Sequence, residues 1–441
     1  MLPSSYPIGF LLILCLLSSC QFKQKTEDES ILLIQKEQYH DQLEGFWLGQ
    51  SIANWTGLVT EMDKIGNIGD IKTGAFYTRA DWGQPDQANI WSEDGEPSNL
   101  SATIDFVFAD TNEVWGSDDD TDIEYLYQHL LHQYQTCALS GEQIQQGWLK
   151  HIKKEEENFL WVSNQAAFDL MQDGILPPET SAPERNPHYA MIDAQLTTEI
   201  FGLLAPGQVD HALAMAYLPI RTSARQEAAE IAEFYVIMHA LAPTIPDHLS
   251  SEEQNLWLAR NARKHLSEAG YPAKMYDYVL IKYQSGIPWE QTRDSVYQRY
   301  QVEGQDGYDI SAQELYCNGC FAAGINFAAG MISWFYGKGD LKETIKTGVL
   351  MGWDADNPTA TWGGLLGFIY GKKRIEQAFG RRFSNQFNIH RTRQNFPKNG
   401  LDNFSDMAGK GMTIIEHCLN TNYPGSIDRQ NNLWRIPISL D

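Results

Sequence analysis

The chain has 441 residues, 43% of them hydrophobic and 12% aromatic, enough for a large buried core. Its formal net charge of −24 at pH 7 excludes a nucleic-acid surface, because phosphate binding needs clustered Lys and Arg. So acidic a chain accepts an anionic ligand only where bound cations dominate the local field.

The N-terminus carries an apolar run, Ile8 to Leu17, which is too short to cross a bilayer comfortably and has the length of a signal-peptide apolar core. It ends in Leu17-Ser18-Ser19-Cys20, which resembles a bacterial lipobox. The reading is a signal peptide over 1–19, lipidation at Cys20, a polar tether over 20–35 and a folded part over 36–441. This places the protein on a bacterial cell-envelope membrane, on the periplasmic or the surface face. No Lys or Arg precedes the apolar run, which keeps an uncleaved N-terminal anchor as the alternative. No linker or break in composition follows the tether, so one large domain is expected.

In the first body segment, Gly45, Gly49 and Gly57 recur at helical spacing and present small residues on one face, open to close packing. This helix should end near Gly57 and leave Glu61 on the loop beyond, where alone it reads as a solvated carboxylate. Strand patterns are scarce, and long loops are expected around 62–117 and 173–190. At Trp115-Gly116-Ser117-Asp118-Asp119-Asp120-Thr121-Asp122 the acids precede Ile123, Leu126, Tyr127, Leu130, Leu131 and Tyr134, a helical apolar spacing. A helix N-terminus favours negative charge, but one Asp suffices as a cap, and adjacent carboxylates repel. A hard divalent cation removes that repulsion.

Further helices are predicted over Ile144–Phe159, Gln165–Met171, Gln195–Leu204, Ala224–Leu241, Asn255–Ala269, Phe321–Tyr336 and Asp340–Leu350. Cys317-Asn318-Gly319-Cys320 is a lone CxxC, a weak zinc or redox signal, and it reads with Cys137 and Cys418 as structural. A second acidic loop, Gly352-Trp353-Asp354-Ala355-Asp356-Asn357-Pro358-Thr359, precedes a buried helix, Ala360 to Tyr370, whose Gly363, Gly364 and Gly367 permit close approach. Two such loops, far apart in sequence, are what a shared two-cation site needs.

Taken together, these segments resemble the ADP-ribosylglycohydrolase family. Its opening motif, G-D-x-x-G-x-x-x-E, matches the spacing of Asn54-Trp55-Thr56-Gly57-Leu58-Val59-Thr60-Glu61. The first acidic motif is met by Asp118-Asp119-Asp120-Thr121, and the middle A-Q-x-x-x-E-x-x-G-x-x-A-P-G segment by Ala194 through Gly207. The last motif, G-x-D-x-D-T/N, is met by Gly352 through Asn357, preceded by Tyr336-Gly337-Lys338-Gly339-Asp340. The resemblance covers about residues 40–375, with the motifs in the family's order.

The resemblance implies an all-α orthogonal helical bundle with a central dimetal cleft holding two Mg²⁺, or Mn²⁺, ions. Asp118, Asp119, Asp120, Asp354, Asp356 and Asn357 would be ligands, and Asp119, Asp120 or Glu61 would act as general base or acid. The implied reaction is hydrolysis of a ribosyl N- or O-glycosidic bond by metal-activated water, in ADP-ribosylated protein or a small ADP-ribosyl or nucleoside-like conjugate. Asn54, Asp193, Gln195 and Ser223 fall at substrate-binding positions.

Several of these depart from the family pattern. Asp193 stands where relatives carry a Gly close to a diphosphate, a carboxylate that disfavours that group. Ser223-Ala224 replaces Ser-His, Asn54 replaces Asp, and Asp118 and Asn357 stand where many relatives have Thr. Two alternatives follow: a metal-dependent hydrolase of an envelope sugar or glycan, suited to the many Trp and Tyr, and a non-catalytic binding protein that keeps the fold.

Overall fold

The computed structural model describes residues 30–154, 158–310 and 316–438. Helices dominate it, as expected, with two small sheets at the periphery. Cys20 and the leader lie outside the described residues, and among those described no helix is long and apolar enough to cross a membrane.

At the centre the Gly-rich helix Lys36–Gly57 packs lengthwise on helix Asp356–Tyr370. The glycines predicted to permit close approach face each other. A Cβ on Gly49 would lie 2.2 Å from the Gly363 carbonyl oxygen, and one on Gly45 would lie 2.2 Å from that of Gly367. Around this pair stand helices Ala323–Gly337, Leu341–Val349, Gln226–Leu241 and Phe404–Thr421, whose buried residues close the core. Trp47, Trp334, Trp353 and Trp362 are fully buried in it, each contributing a few kcal/mol, on the order of 3, of apolar burial.

The sheets correct one boundary. Ser30–Gln35, expected within the polar tether, is a strand antiparallel to Leu433–Ile438, which also pairs with Ser426–Asp428. Its alternation explains why: Ile34 is buried and Ile31 is 51% exposed, a half-buried edge strand. In the second sheet Trp115–Gly116 runs parallel to Gln386–Asn388, which pairs antiparallel with Leu401–Asn403.

Several helix boundaries also differ. The helix expected over Ile144–Phe159 spans Gly141–His151, started by the Ser140–Gln143 capping box and stopped where Ile152 turns extended. The Ser250–Glu253 capping box likewise starts the helix expected at Asn255 four residues early, at Ser251, and it closes at Arg263. Of Gln195–Leu204 only Ile200–Leu204 is α-helical, because the Thr197 and Thr198 hydroxyls donate to the Asp193 and Ala194 carbonyls and hold a tight turn instead. Ala224 is extended, ending helix Val209–Ser223 before Gln226–Leu241 begins. The long loops at 62–117 and 173–190 are present, with only short 3₁₀ turns and the two-residue strand Trp115–Gly116 inside them.

Both cysteine pairs are disulfides, Cys137–Cys418 and Cys317–Cys320. The first spans 281 residues and ties the acidic-loop helix region to the C-terminal helix, a constraint on the unfolded chain of about 2–4 kcal/mol.

Candidate functional site

The first acidic loop is delivered by the small sheet. Pairing of Trp115–Gly116 carries on through the Ser117 N–H, which donates to the Asn388 carbonyl at 3.1 Å. Asp118 is then the extended cap of helix Asp119–Tyr134, its N–H donating to Thr121 Oγ1 at 2.9 Å. The three carboxylates therefore stand at the positive end of the helix dipole, as the sequence predicts.

The second loop is shaped by backbone contacts to the segment that follows Glu61. Gly352 has φ +91°, and a Cβ there would sit 2.4 Å from the Lys64 carbonyl oxygen, so only glycine fits. The Trp353 N–H donates to that carbonyl at 2.7 Å, and the Met62 N–H donates to the Trp353 carbonyl at 2.9 Å. These two bonds fix Glu61 beside Asp354. Gly57 matters equally, because a Cβ on it would lie 2.3 Å from Asp356 Cα. Without that side chain, the start of helix Asp356–Tyr370 reaches the end of the first helix.

The result is two groups of three carboxylates, Glu61 with Asp354 and Asp356, and Asp118 with Asp119 and Asp120. Within each group the ligand oxygens lie within 4.8 Å of one another. Asp120 and Asp356 come within hydrogen-bond reach across the divide. Burial first, and then neighbouring carboxylates, hold the carboxyls of Asp119, Asp120, Asp354 and Asp356 well above the usual range. Burial and the Asp118 charge push Glu61 up to about 8.

Among the described residues no Lys or Arg pairs with Glu61, Asp119, Asp120, Asp354 or Asp356; Arg391 pairs with Asp118 alone, at 2.6 Å. Asp356 Oδ1 is buried with no hydrogen-bond partner. Such a buried, all-carboxylate donor set fits hard divalent cations, which remove the repulsion that the protein leaves standing.

The other expected site residues divide. Gln195 and Asn357 form a relay: Gln195 Nε2 donates to Asn357 Oδ1 at 3.1 Å, and Asn357 Nδ2 donates to Asp120 Oδ1 at 2.8 Å. Asn357 thus orients the Asp120 carboxylate. Asn54, expected at substrate, donates instead to Asp118 Oδ2 at 3.3 Å and orients that ligand. Asp193 lines the cleft together with Glu61, Asp119 and Asp354. Ser223 is buried at the end of its helix, outside that lining.

Sequence reasoning missed Arg391, Arg393, Trp161 and Asn164. Arg393 pairs with Asp122 at 2.8 Å, both fully buried. The run His390-Arg391-Thr392-Arg393 stands out in so acidic a chain and was the available signal.

The ADP-ribosylglycohydrolase family profile matches residues 35–399. The chain belongs to the ADP-ribosylglycohydrolase family. Membership confirms the all-α fold expected from the motifs and points to glycosidic-bond hydrolysis as the general activity. A solved structure described as an ADP-ribosylglycohydrolase-related protein complex is similar to the chain, at 16% identity and a TM-score of 0.48. The match covers 86% of this chain and 99% of that one. No curated protein sequence matches the chain significantly.

Proposed function

We propose that this protein is a metal-dependent hydrolase of a ribosyl N- or O-glycosidic bond, in ADP-ribosylated protein or a small ADP-ribosyl or nucleoside-like conjugate. The observation that carries this reading is the meeting of carboxylates from two distant loops, five of the six with no Lys or Arg partner among the described residues. Glu61, Asp118, Asp119, Asp120, Asp354 and Asp356 would hold two divalent cations, Mg²⁺ or Mn²⁺. When bound, such cations supply Lewis acidity and lower the pKa of water.

The protein's own groups divide the remaining work. Glu61 and Asp119 line the cleft, so either can take a proton from the attacking water or return one to the leaving atom, a role worth about 10²- to 10⁴-fold in rate. Asp120, held by Asn357 and close to Asp356, serves to position rather than to move protons. Asn54 and Arg391 fix the Asp118 carboxylate from either side. The leader read at the sequence level extends the proposal to a lipid-anchored envelope enzyme.

A second reading, hydrolysis of another sugar, is favoured by the exposed Trp161 ring at the cleft. The test is turnover of ADP-ribosylated protein, a small ADP-ribosyl conjugate, a nucleoside and a neutral oligosaccharide, each with Mg²⁺, with Mn²⁺ and with chelator. Metal-dependent release of a ribosyl product, lost in Asp119→Ala, is the expected result. Release only from the oligosaccharide moves the assignment to the second reading, and no turnover of any of the four contradicts the hydrolase.

A further inference from the structure

Two exposed tryptophans, Trp91 and Trp161, meet the ring of Phe321 at the edge of the core, and Trp161 and Phe321 line the acid cleft. Trp91 and Trp161 lie 5.8 Å apart between ring centroids with planes 10° apart, and Trp91 and Phe321 lie 5.8 Å apart at 13°. Trp161 and Phe321 close the triangle at 6.3 Å and 18°. Each pair is near-parallel and offset-stacked, and the exposed ring surface is that of the two tryptophans. Trp91 is 41% exposed and Trp161 46%, an unusual state for two tryptophans in contact.

Each ring is tied by backbone to a segment that carries site acids. The Ile90 N–H, next to Trp91, donates to the Met62 carbonyl, next to Glu61. The Ile192 N–H, next to Asp193, donates to the Phe321 carbonyl at 2.9 Å. Trp161 immediately precedes helix Val162–Gln172, whose Asn164 N–H donates to Asp193 Oδ1 at 2.9 Å. Trp161 and Phe321 line the same cleft as Glu61, Asp119 and Asp354.

The cleft floor beside these rings offers hydrogen-bond acceptors that the protein does not use. Asn164 is 4% exposed and Asp193 2%, and Asn164 Oδ1 and Asp193 Oδ2 are buried without partners. Ser163 sits beside Asp193, where its hydroxyl and backbone N–H help to stabilise the carboxylate's charge. Unused buried acceptors beside an aromatic surface suit a ring with one apolar face and hydroxyl donors at its edge. They do not suit a diphosphate, which brings further acceptors and negative charge against Asp193.

We propose that Trp91, Trp161 and Phe321, with Asn164 and Asp193, form a subsite that binds a neutral, hydroxyl-bearing ring of the substrate in preference to a diphosphate. The proposal rests on the hydrolase reading for calling the ligand a substrate, but binding at the subsite does not depend on turnover. A saccharide and a nucleoside both carry this chemistry. Stacking on Trp161 supplies affinity, and Asn164 and Asp193 accept from the ring's hydroxyls.

The test is tryptophan-fluorescence titration of the full chain, with and without Mg²⁺, using adenosine, a neutral oligosaccharide and ADP-ribose, with hydrolysis followed separately. At least one neutral ligand should bind at least tenfold tighter than ADP-ribose, and Trp161→Ala should weaken it about tenfold or more. Trp161→Phe should retain most of the binding, and Asp193→Asn should narrow the gap to ADP-ribose. Binding of adenosine alone or of the oligosaccharide alone identifies the source of the ring. Binding that depends on Trp161 without hydrolysis of any ligand leaves the subsite standing and removes the hydrolase. ADP-ribose binding as tightly as both neutral ligands, no neutral ligand binding, or indifference to Trp161→Ala overturns the subsite.

Discussion

Two sets of acids on one helix stand under opposite conditions. In the helix that starts at Asp119, Asp122 and Glu124 are provided for by the protein: Asp122 is paired with buried Arg393, and both Glu124 oxygens accept hydrogen bonds. Those bonds come from Gln50 Nε2 at 2.6 Å and the Ile200 N–H at 2.7 Å. At the start of the same helix, Asp119 and Asp120 face Glu61, Asp354 and Asp356 with no basic partner among the described residues. Burial raises the carboxyl pKa in both sets, so burial does not separate them; the missing counter-charge does. A structural acid is neutralised from within the chain, and under the proposed reading ions from solution would take that part at the cleft.

The largest effect that would sharpen this contrast is on cation binding and turnover. Asp356→Ala should lower turnover by at least about 10²-fold and abolish Mg²⁺ binding, whereas Glu124→Gln should retain binding. Equal losses in both variants would break the distinction. On the structural side, Arg393→Ala strands Asp122 in the interior and should destabilise the fold by about 3–5 kcal/mol in urea unfolding. A loss below about 1 kcal/mol would show that the pair is solvated after all.

Gly57→Ala separates packing from charge. Its Cβ would press on Asp356, so Mg²⁺ affinity should fall by about tenfold while every ligand remains. Wild-type affinity in this variant would mean that the close approach of the two helices does not place the ligand.

A smaller effect is expected in the pH dependence of stability without metal. A raised carboxyl pKa means that the folded chain holds protons which the unfolded chain has released. Stability of the metal-free protein therefore falls as pH rises from about 4.5, the ordinary Glu61 value, through about 8, its value in the fold. Melting temperature should drop by several degrees between pH 5 and pH 8, and Mg²⁺ should raise it at pH 8 more than at pH 5. The opposite order would show that the cluster is already neutralised by the protein.

How much of this was legible from the sequence follows from the range of each interaction. Asp118–Asp120, Asp354, Asp356 and Glu61 were readable because each lies in a short motif beside a helix end, and local spacing records that. The facing glycines of the two central helices were readable for the same reason. Arg391 and Arg393 were not, because their partners Asp118 and Asp122 lie in the first third of the chain and no local pattern links them. The contacts of Asn54 with Asp118 and of Asn357 with Asp120 were not readable, because a side-chain amide can meet a metal, a ligand or a carboxylate and local spacing does not choose among them. Helices Val209–Ser223, Tyr271–Gln284 and Phe404–Thr421 went unread as well, the first carrying Pro219 inside it.

The central claim is that carboxylates from the two loops share cations, and isothermal calorimetry with Mg²⁺ and Mn²⁺ tests it most directly. Saturable binding of about two ions per chain, lost in Asp119→Ala and equally in Asp356→Ala, is the predicted result. Absence of binding, or binding that survives either substitution unchanged, would contradict it.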